Sequence, residues 1–145
     1  MSTSPSRIPL EQIDAAGVLS KVRLRIFQAD ADQDSCHHFL EGHREVLKAA
    51  GITRLTSLDS AWVGSPDHTV FMLLDADGDR VLSGMRLMRR SPDNRLPMER
   101  AVAGAHPEVS RLVEDHIEEG CGEFGALWSH REVAVAGIGM VPMAC

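Results

Sequence analysis

Residues 68–88 read HTVFMLLDADGDRVLSGMRLM, and this stretch decides the fold. Two apolar-rich runs, 68–74 and 80–88, flank an acidic segment at 75–79 that contains a glycine. A turn-forming cluster between two such runs predicts an antiparallel β-hairpin. The alternating aspartates also begin like a calcium-binding loop, but Arg80 stands where that loop requires glycine. We therefore predict a turn and no calcium site.

Two further elements precede the hairpin. The segment 22–27, VRLRIF, alternates apolar with polar side chains and predicts a β-strand. An amphipathic helix follows, because apolar side chains recur every three or four positions between the N-cap candidate Asp32 and the terminating Gly51. The apolar stripe of this helix consists of Cys36, Phe39, Leu40, His43, Val46, Leu47 and Ala50.

The residues after the hairpin predict a loop, a second helix and a final strand. Prolines and an asparagine within 92–97 mark the loop, and Pro107 opens a helix that Gly120 ends. Segments 123–128 and 132–135 predict extended structure with a local interruption. The predicted fold class is therefore α+β with αβα layering, a mixed, largely antiparallel sheet with flanking helices.

Length, composition and charge narrow the class of protein. A chain of 145 residues with 43% hydrophobic content predicts one packed domain at 21–145 after a flexible tail at 1–20. The net charge of −6 disfavours nucleic-acid binding, which relies on basic side chains. The sequence contains no run of 18 apolar residues, so no membrane span is predicted. No signal peptide is recognisable either, so we predict a cytoplasmic protein.

Cysteines and histidines give no sign of a disulfide framework or a metal centre. The three cysteines show no Cys-x-x-Cys pairing, so reduced thiols are expected. His38 and His43 are five residues apart on the predicted helix and so point about 140° away from each other, which is wrong for shared metal ligation. His43 instead falls on the apolar stripe, which predicts a histidine at the core edge.

The segment 122–139, GEFGALWSHREVAVAGIG, resembles the central motif of the GNAT acyltransferase superfamily. In that family a strand ends in Arg/Gln-x-x-Gly-x-Gly/Ala and runs into a helix. Gly137 and Gly139 are in register with this motif, whereas Ala134 stands at the Arg/Gln position. The free N–H groups and dipole of a helix N-terminus favour a diphosphate, and glycine lets phosphate approach the backbone.

The hairpin adds to this resemblance. The run Ser83-Gly84-Met85-Arg86-Leu87, followed by Leu96-Pro97-Met98, is similar to the N-acyl amino acid synthase and autoinducer synthase branch. The likeness covers about residues 22–143. Because the chain ends at Cys145, the comparison implies that the C-terminal strands of the family are missing.

The resemblance implies acyl transfer from acyl-CoA or from acyl-phosphopantetheine on an acyl-carrier protein to an amine, with no covalently bound cofactor. It implies a carboxylate on the central strand as general base, and Glu123 is the candidate; a solvated structural glutamate is the alternative. The implied acyl-carrier site comprises Leu127, Trp128, Ser129, Gly137, Ile138 and Gly139, with backbone N–H groups of the first three stabilising the oxyanion.

Three arginines, Arg86, Arg89 and Arg90, form a basic group in an otherwise acidic chain. Guanidinium groups match phosphate, so this group could dock a carrier protein or its phosphopantetheine arm; a solvated strand end is the alternative. Because the resemblance implies that the C-terminal strands are missing, we expect little turnover. The rival prediction is a non-catalytic binding or assembly module derived from the same family, completed by formation of a homodimer.

Overall fold

The structure is a computed structural model that describes residues 22–54 and 59–135. It contains eight elements in the order β1 (Val22–Gln28), α1 (Gln33–Ala49), β2 (His68–Asp75), β3 (Val81–Arg89), α2 (Pro97–Val102), α3 (Pro107–Asp115), β4 (Gly122–Ser129) and α4 (Arg131–Val135). The predicted α+β class is confirmed. The four strands form one antiparallel sheet in the order β1-β2-β3-β4. The predicted N-terminal tail lies outside the described residues.

The hairpin of β2 and β3 is confirmed, and its turn is held by one carboxylate. Asp75 Oδ1 accepts backbone N–H bonds from Gly78 at 2.8 Å and from Asp79 at 2.9 Å. Gly78 has a φ of 86°, a conformation that glycine adopts at no steric cost. Arg80 also donates its backbone N–H to this oxygen, at 3.3 Å. The hydrogen bonds from Arg80, Asp79 and Gly78 lower the pKa of Asp75, and that from Arg80 contributes most. The aspartates therefore build a turn, as predicted.

Helix α1 covers one face of the sheet. Asp32 caps it by accepting the backbone N–H of Ser35 at 3.0 Å, which satisfies a donor that no helical carbonyl reaches. The main core forms beneath the helix around Phe39, whose ring makes edge contacts with Trp62 and Trp128. His43 is buried and stacks on Trp128 with ring centroids 5.9 Å apart, so it is a core histidine.

The C-terminal part of the described chain corrects the predicted extended segment 132–135. Strand β4 ends at Ser129, and the N–H groups of Val133 and Ala134 bond to the carbonyl of His130 to open α4. In this helical turn the side chain of Val133 is buried against Leu73. A helical turn therefore separates β4 from Gly137, and the strand does not run into the glycine motif.

Two helices also differ from the expected pattern. The segment 92–97 was predicted as loop, yet Pro97 opens α2, with Glu99 Oε2 accepting the Leu96 N–H at 2.8 Å. Helix α3 begins at Pro107 as predicted but ends at Asp115, short of Gly120. The sequence predicts an apolar stripe of Val109, Leu112, Val113, His116 and Ile117. Of these residues only Val113 is buried, and Leu112 is 61% exposed.

The sheet face opposite α1 remains largely open among the described residues. Register pairs Ile26 with Phe71 and Leu87 with Phe124, and paired residues share a face. Ile26 is 54% exposed and Phe124 is 62% exposed. Among residues 22–54 and 59–135, no helix is long and apolar enough to cross a membrane.

Candidate ligand-binding site

A cavity of about 750 Å³ opens on the same side of the sheet as α1, over β3 and the first half of β4. Its walls come from the loop that precedes β2, from the ends of β2 and β3, and from the segment 93–100. Its volume falls within the range typical of small-molecule sites, about 300–1,000 Å³. Trp62 and Met88 supply apolar lining, and a buried arginine lies between them on β3.

Arg86 is the charged group of this cavity. It is only 6% exposed, and its guanidinium carbon lies 4.3 Å from the centroid of the Trp62 ring. This stacking is a favourable cation–π geometry. The Nη1 atom of Arg86 lies 3.2 Å from Nδ1 of His68, which is also buried and lines the cavity. The guanidinium of Arg86 therefore contacts the ring of Trp62 and the imidazole of His68 at the same time.

The electrostatics of this pair follow from burial. Desolvation lowers the pKa of His68 to about 4, and the positive charge of Arg86 adds to that shift. His68 is therefore neutral at physiological pH, and its Nδ1 lone pair can accept a hydrogen from Arg86. Burial also lowers the pKa of Arg86 to about 10, so the guanidinium keeps its charge near pH 7.

Arg86 has no ion-pair partner within the part of the chain that the structure describes, although the negative charge of Asp59 is near enough to raise its pKa against the effect of burial. No carboxylate of residues 22–54 or 59–135 lies within the 4 Å that would make an ion pair with Arg86. Its Nε is enclosed and has no hydrogen-bond partner among the described residues. Buried charges in proteins are normally paired, so an unpaired guanidinium beside a cavity marks a site that a ligand can complete.

Acidic side chains surround the cavity further from Arg86. Glu123 lines it from β4, and its Oε2 accepts the backbone N–H of Met98 at 2.9 Å. Asp59 and Asp93 line the cavity from exposed loop positions, and Arg100 adds one exposed positive charge. The cavity thus combines a cationic floor with a mainly acidic rim.

Strand β4 is irregular where it passes the cavity. Its register with β3 shifts between Gly84 and Arg86, and Ala126 adopts a φ of 49°. A residue that is inserted into one strand of a pair leaves the ladder locally unpaired, and such bulges are frequent beside active sites. Ala126 lines the cavity. Within the described sheet β4 is also an edge strand, so one hydrogen-bonding edge faces away from β3.

The predicted acyl-carrier residues of β4 point in different directions. Leu127 is 56% exposed, Trp128 is buried in the core, and Ser129 Oγ lies 2.7 Å from Ser83 Oγ. Their side chains do not line the cavity, although the edge of β4 passes beside it. Gly137, Ile138 and Gly139, predicted as a diphosphate cradle, lie outside the described residues.

The three predicted docking arginines do not form a common surface. Arg86 belongs to the cavity, and Arg90 is buried with its Nε 2.8 Å from Glu99 Oε2. Only Arg89 is exposed, and it lies 3.4 Å from Asp67. Because alternate residues of a strand point to opposite sides and β3 ends here, adjacency in sequence does not give one basic patch.

No cluster of three or more potential metal ligands occurs in residues 22–54 and 59–135. The thiol of Cys36 is buried and Cys121 is half-buried, and both are free. Burial raises the pKa of Cys36 to about 11, which makes it unreactive as a nucleophile near pH 7.

His68 is the site residue that sequence reasoning missed, because in the sequence it only begins the first apolar run of the hairpin. A large aromatic residue such as Trp62 is expected either in the core or in the wall of an acyl pocket, and its stacking on Arg86 has no signal in the sequence. The strand period gives one signal. Alternate residues of a strand share a face, so Arg86 lies on the same core-facing side of the sheet as Gly84. An arginine on a core-facing side is unusual and could have indicated a site.

No protein-family model matches the chain, and no curated protein or solved structure is significantly similar to it. The likeness to GNAT acyltransferases therefore remains a prediction from sequence motifs.

Proposed function

We propose that the chain is an N-acyltransferase-like domain that passes an acyl group from a thioester to an amine. The observation that supports this best is the position of the cavity: it lies beside the bulged edge strand β4, with Glu123 in its wall. This reaction needs a carboxylate as general base, a cavity for a small molecule and a strand edge with backbone N–H groups that are not paired within the sheet.

In the proposed reaction Glu123 takes a proton from the incoming ammonium, directly or through water. The freed amine then attacks the thioester carbonyl and a carbon–nitrogen bond forms. The carbon–sulfur bond breaks, and the second proton lost by the nitrogen goes to the leaving thiolate, which departs as the thiol. The negative charge that develops on the carbonyl oxygen needs hydrogen-bond donors, and the backbone N–H groups of residues 127–129 are the candidates. The thioester comes from acyl-CoA or from an acyl-carrier protein.

Thermal unfolding with hexanoyl-CoA and butylamine tests this proposal. Ligand binding to the native state raises the melting temperature with the logarithm of ligand concentration, and mass spectrometry detects N-butylhexanamide. We expect Glu123→Gln to keep binding but to lose amide formation by about 10²-fold or more, since proton transfer contributes 10²–10⁴. Glu118→Gln, at an exposed position, is the matched control. No melting shift at millimolar hexanoyl-CoA rules out the proposal.

A second candidate is a non-catalytic module that forms a homodimer through its open sheet face. The exposed side chains on that face, Ile26 and Phe124, favour this alternative, because large exposed apolar patches usually mark interaction surfaces. Light scattering should then give twice the chain mass, and Phe124→Lys should restore the monomer. Leu112→Lys, at an equally exposed site on α3, should not. A monomer at all concentrations excludes this candidate.

A further inference from the structure

Arg86 offers hydrogen-bond donors that the described protein does not use. A guanidinium carries five N–H donors, and one of them goes to Nδ1 of His68. No described residue hydrogen-bonds to Nη2. The terminal edge formed by Nη1 and Nη2 can therefore still receive a planar anion with two oxygens, which is the geometry of a carboxylate.

The surroundings of Arg86 restrict the charge of that anion. The acidic side chains of the cavity, Asp59, Asp67, Asp93 and Glu123, outnumber its other basic group, the exposed Arg100. A doubly charged phosphate would be repelled by this rim. A monocarboxylate carries one charge, and an amino group elsewhere on the same ligand would be attracted by the rim.

We propose that Arg86, held between Trp62 and His68, anchors the carboxylate of a small monocarboxylate ligand in this cavity. The site is prepared before the ligand arrives, because stacking and the His68 bond fix the guanidinium plane. Carboxylate binding does not require acyl transfer.

Binding of simple probes to the full chain tests this inference. The probes are butyrate, 4-aminobutyrate, butylamine and inorganic phosphate, measured by calorimetric titration at constant ionic strength. We expect the two carboxylates to bind, 4-aminobutyrate more tightly. Butylamine, which lacks a carboxylate, and phosphate, which the acidic rim repels, should bind at least about tenfold more weakly than 4-aminobutyrate. Tighter binding of phosphate than of either carboxylate overturns the proposal, as does no binding at all.

Variants assign the effect to one guanidinium. Arg86→Gln should weaken 4-aminobutyrate binding by about tenfold or more, and Arg111→Gln, exposed on α3, should leave it unchanged. Loss of binding in Arg100→Gln but not in Arg86→Gln would place the anchor at the rim and overturn the assignment.

A measurement on the wild-type protein covers the case in which Arg86→Gln does not fold. The side-chain Nε–H resonance of Arg86, assigned by its absence in Arg86→Lys, should move on addition of butyrate, while that of Arg111 stays. An unmoved Arg86 signal under saturating butyrate contradicts the proposal. If butyrate moves the Arg86 signal while millimolar hexanoyl-CoA leaves the melting temperature unchanged, the carboxylate site stands and the acyl-transfer function falls, so the two proposals fail separately.

Discussion

Gly84 leaves room for Phe39: a Cβ atom built on Gly84 would lie 2.4 Å from Cε2 of that ring and 3.1 Å from Cε2 of Trp128. The glycine of the β3 motif therefore serves packing, because it lets helix α1 and its aromatic side chains approach the sheet. Arg86 follows two residues later on the same face and reaches the cavity just beyond these rings.

Gly84→Ala should destabilise the fold by about 1–3 kcal/mol, because the added methyl group must displace two buried rings. Chemical denaturation monitored by tryptophan fluorescence measures the change. Gly104→Ala is the control, since nothing lies within 4 Å of the position its Cβ would take, and it should stay within about 1 kcal/mol of wild type. Equal stabilities of the two variants would show that the ring cluster yields easily.

Local patterns in the sequence predicted the hairpin and α1 because each carries its own signal. The turn at Asp75 satisfies three N–H groups by itself, and the helix has a cap and an apolar stripe within its own residues. The segment 132–135 alternates like a strand, yet it lies in a helical turn in which Val133 packs against Leu73, a residue distant in sequence. Periodicity over four residues cannot outweigh such a contact.

The candidate site was only half predictable, because its parts are distant in sequence. Glu123 and Arg86 were singled out individually, but their common cavity depends on the pairing of β3 with β4. The stacking of Arg86 on Trp62 depends on the loop that leads into β2, and no local pattern encodes that approach. The burial of Arg90, which removes it from any docking surface, likewise follows from its tertiary partner Glu99.

Breaking the buried pair of Arg90 and Glu99 should be costly. Their side chains are 3% and 0% exposed, so Arg90→Met leaves an uncompensated carboxylate in the interior and should cost about 3–5 kcal/mol. Arg80→Met removes one partner of an exposed pair with Glu132 and should cost less than about 1 kcal/mol. Urea denaturation of both variants measures the difference.

The double variant Arg90→Met with Glu99→Leu completes this test. It removes both charges together, so it should be more stable than Arg90→Met alone. If the double variant is no better than the single one, the pair acts through the shape of its side chains and not through its charge.

The two described cysteines should react with thiol reagents at very different rates. Cys36 is fully buried, its pKa is raised to about 11 by burial, and its Sγ lies 3.6 Å from the carbonyl oxygen of Ala29. Cys121 is only half-buried. Iodoacetamide at pH 8 followed by peptide mapping should show Cys121 modified in the native protein and Cys36 only after addition of denaturant. Equal labelling without denaturant would mean that the core under α1 opens readily.

Stability should fall as the pH is lowered from about 6.5 to about 4, and His68 should account for part of the fall. Burial lowers the pKa of His68 from 6.5 to about 4, so the unfolded chain binds the proton more readily than the native one. The stabilising effect of the neutral ring is complete above pH 6.5, is lost progressively below it, and amounts to about 3 kcal/mol at most.

His68→Gln isolates this contribution. Glutamine keeps an acceptor for Arg86 but does not titrate, so the difference in unfolding free energy between pH 7 and pH 4.5 should shrink relative to wild type. The remaining dependence includes His43, whose pKa is also lowered by burial. His37→Gln, exposed on α1, is the control and should keep the full dependence. If His68→Gln shows the same pH dependence of stability as wild type, His68 is not the neutral partner of Arg86.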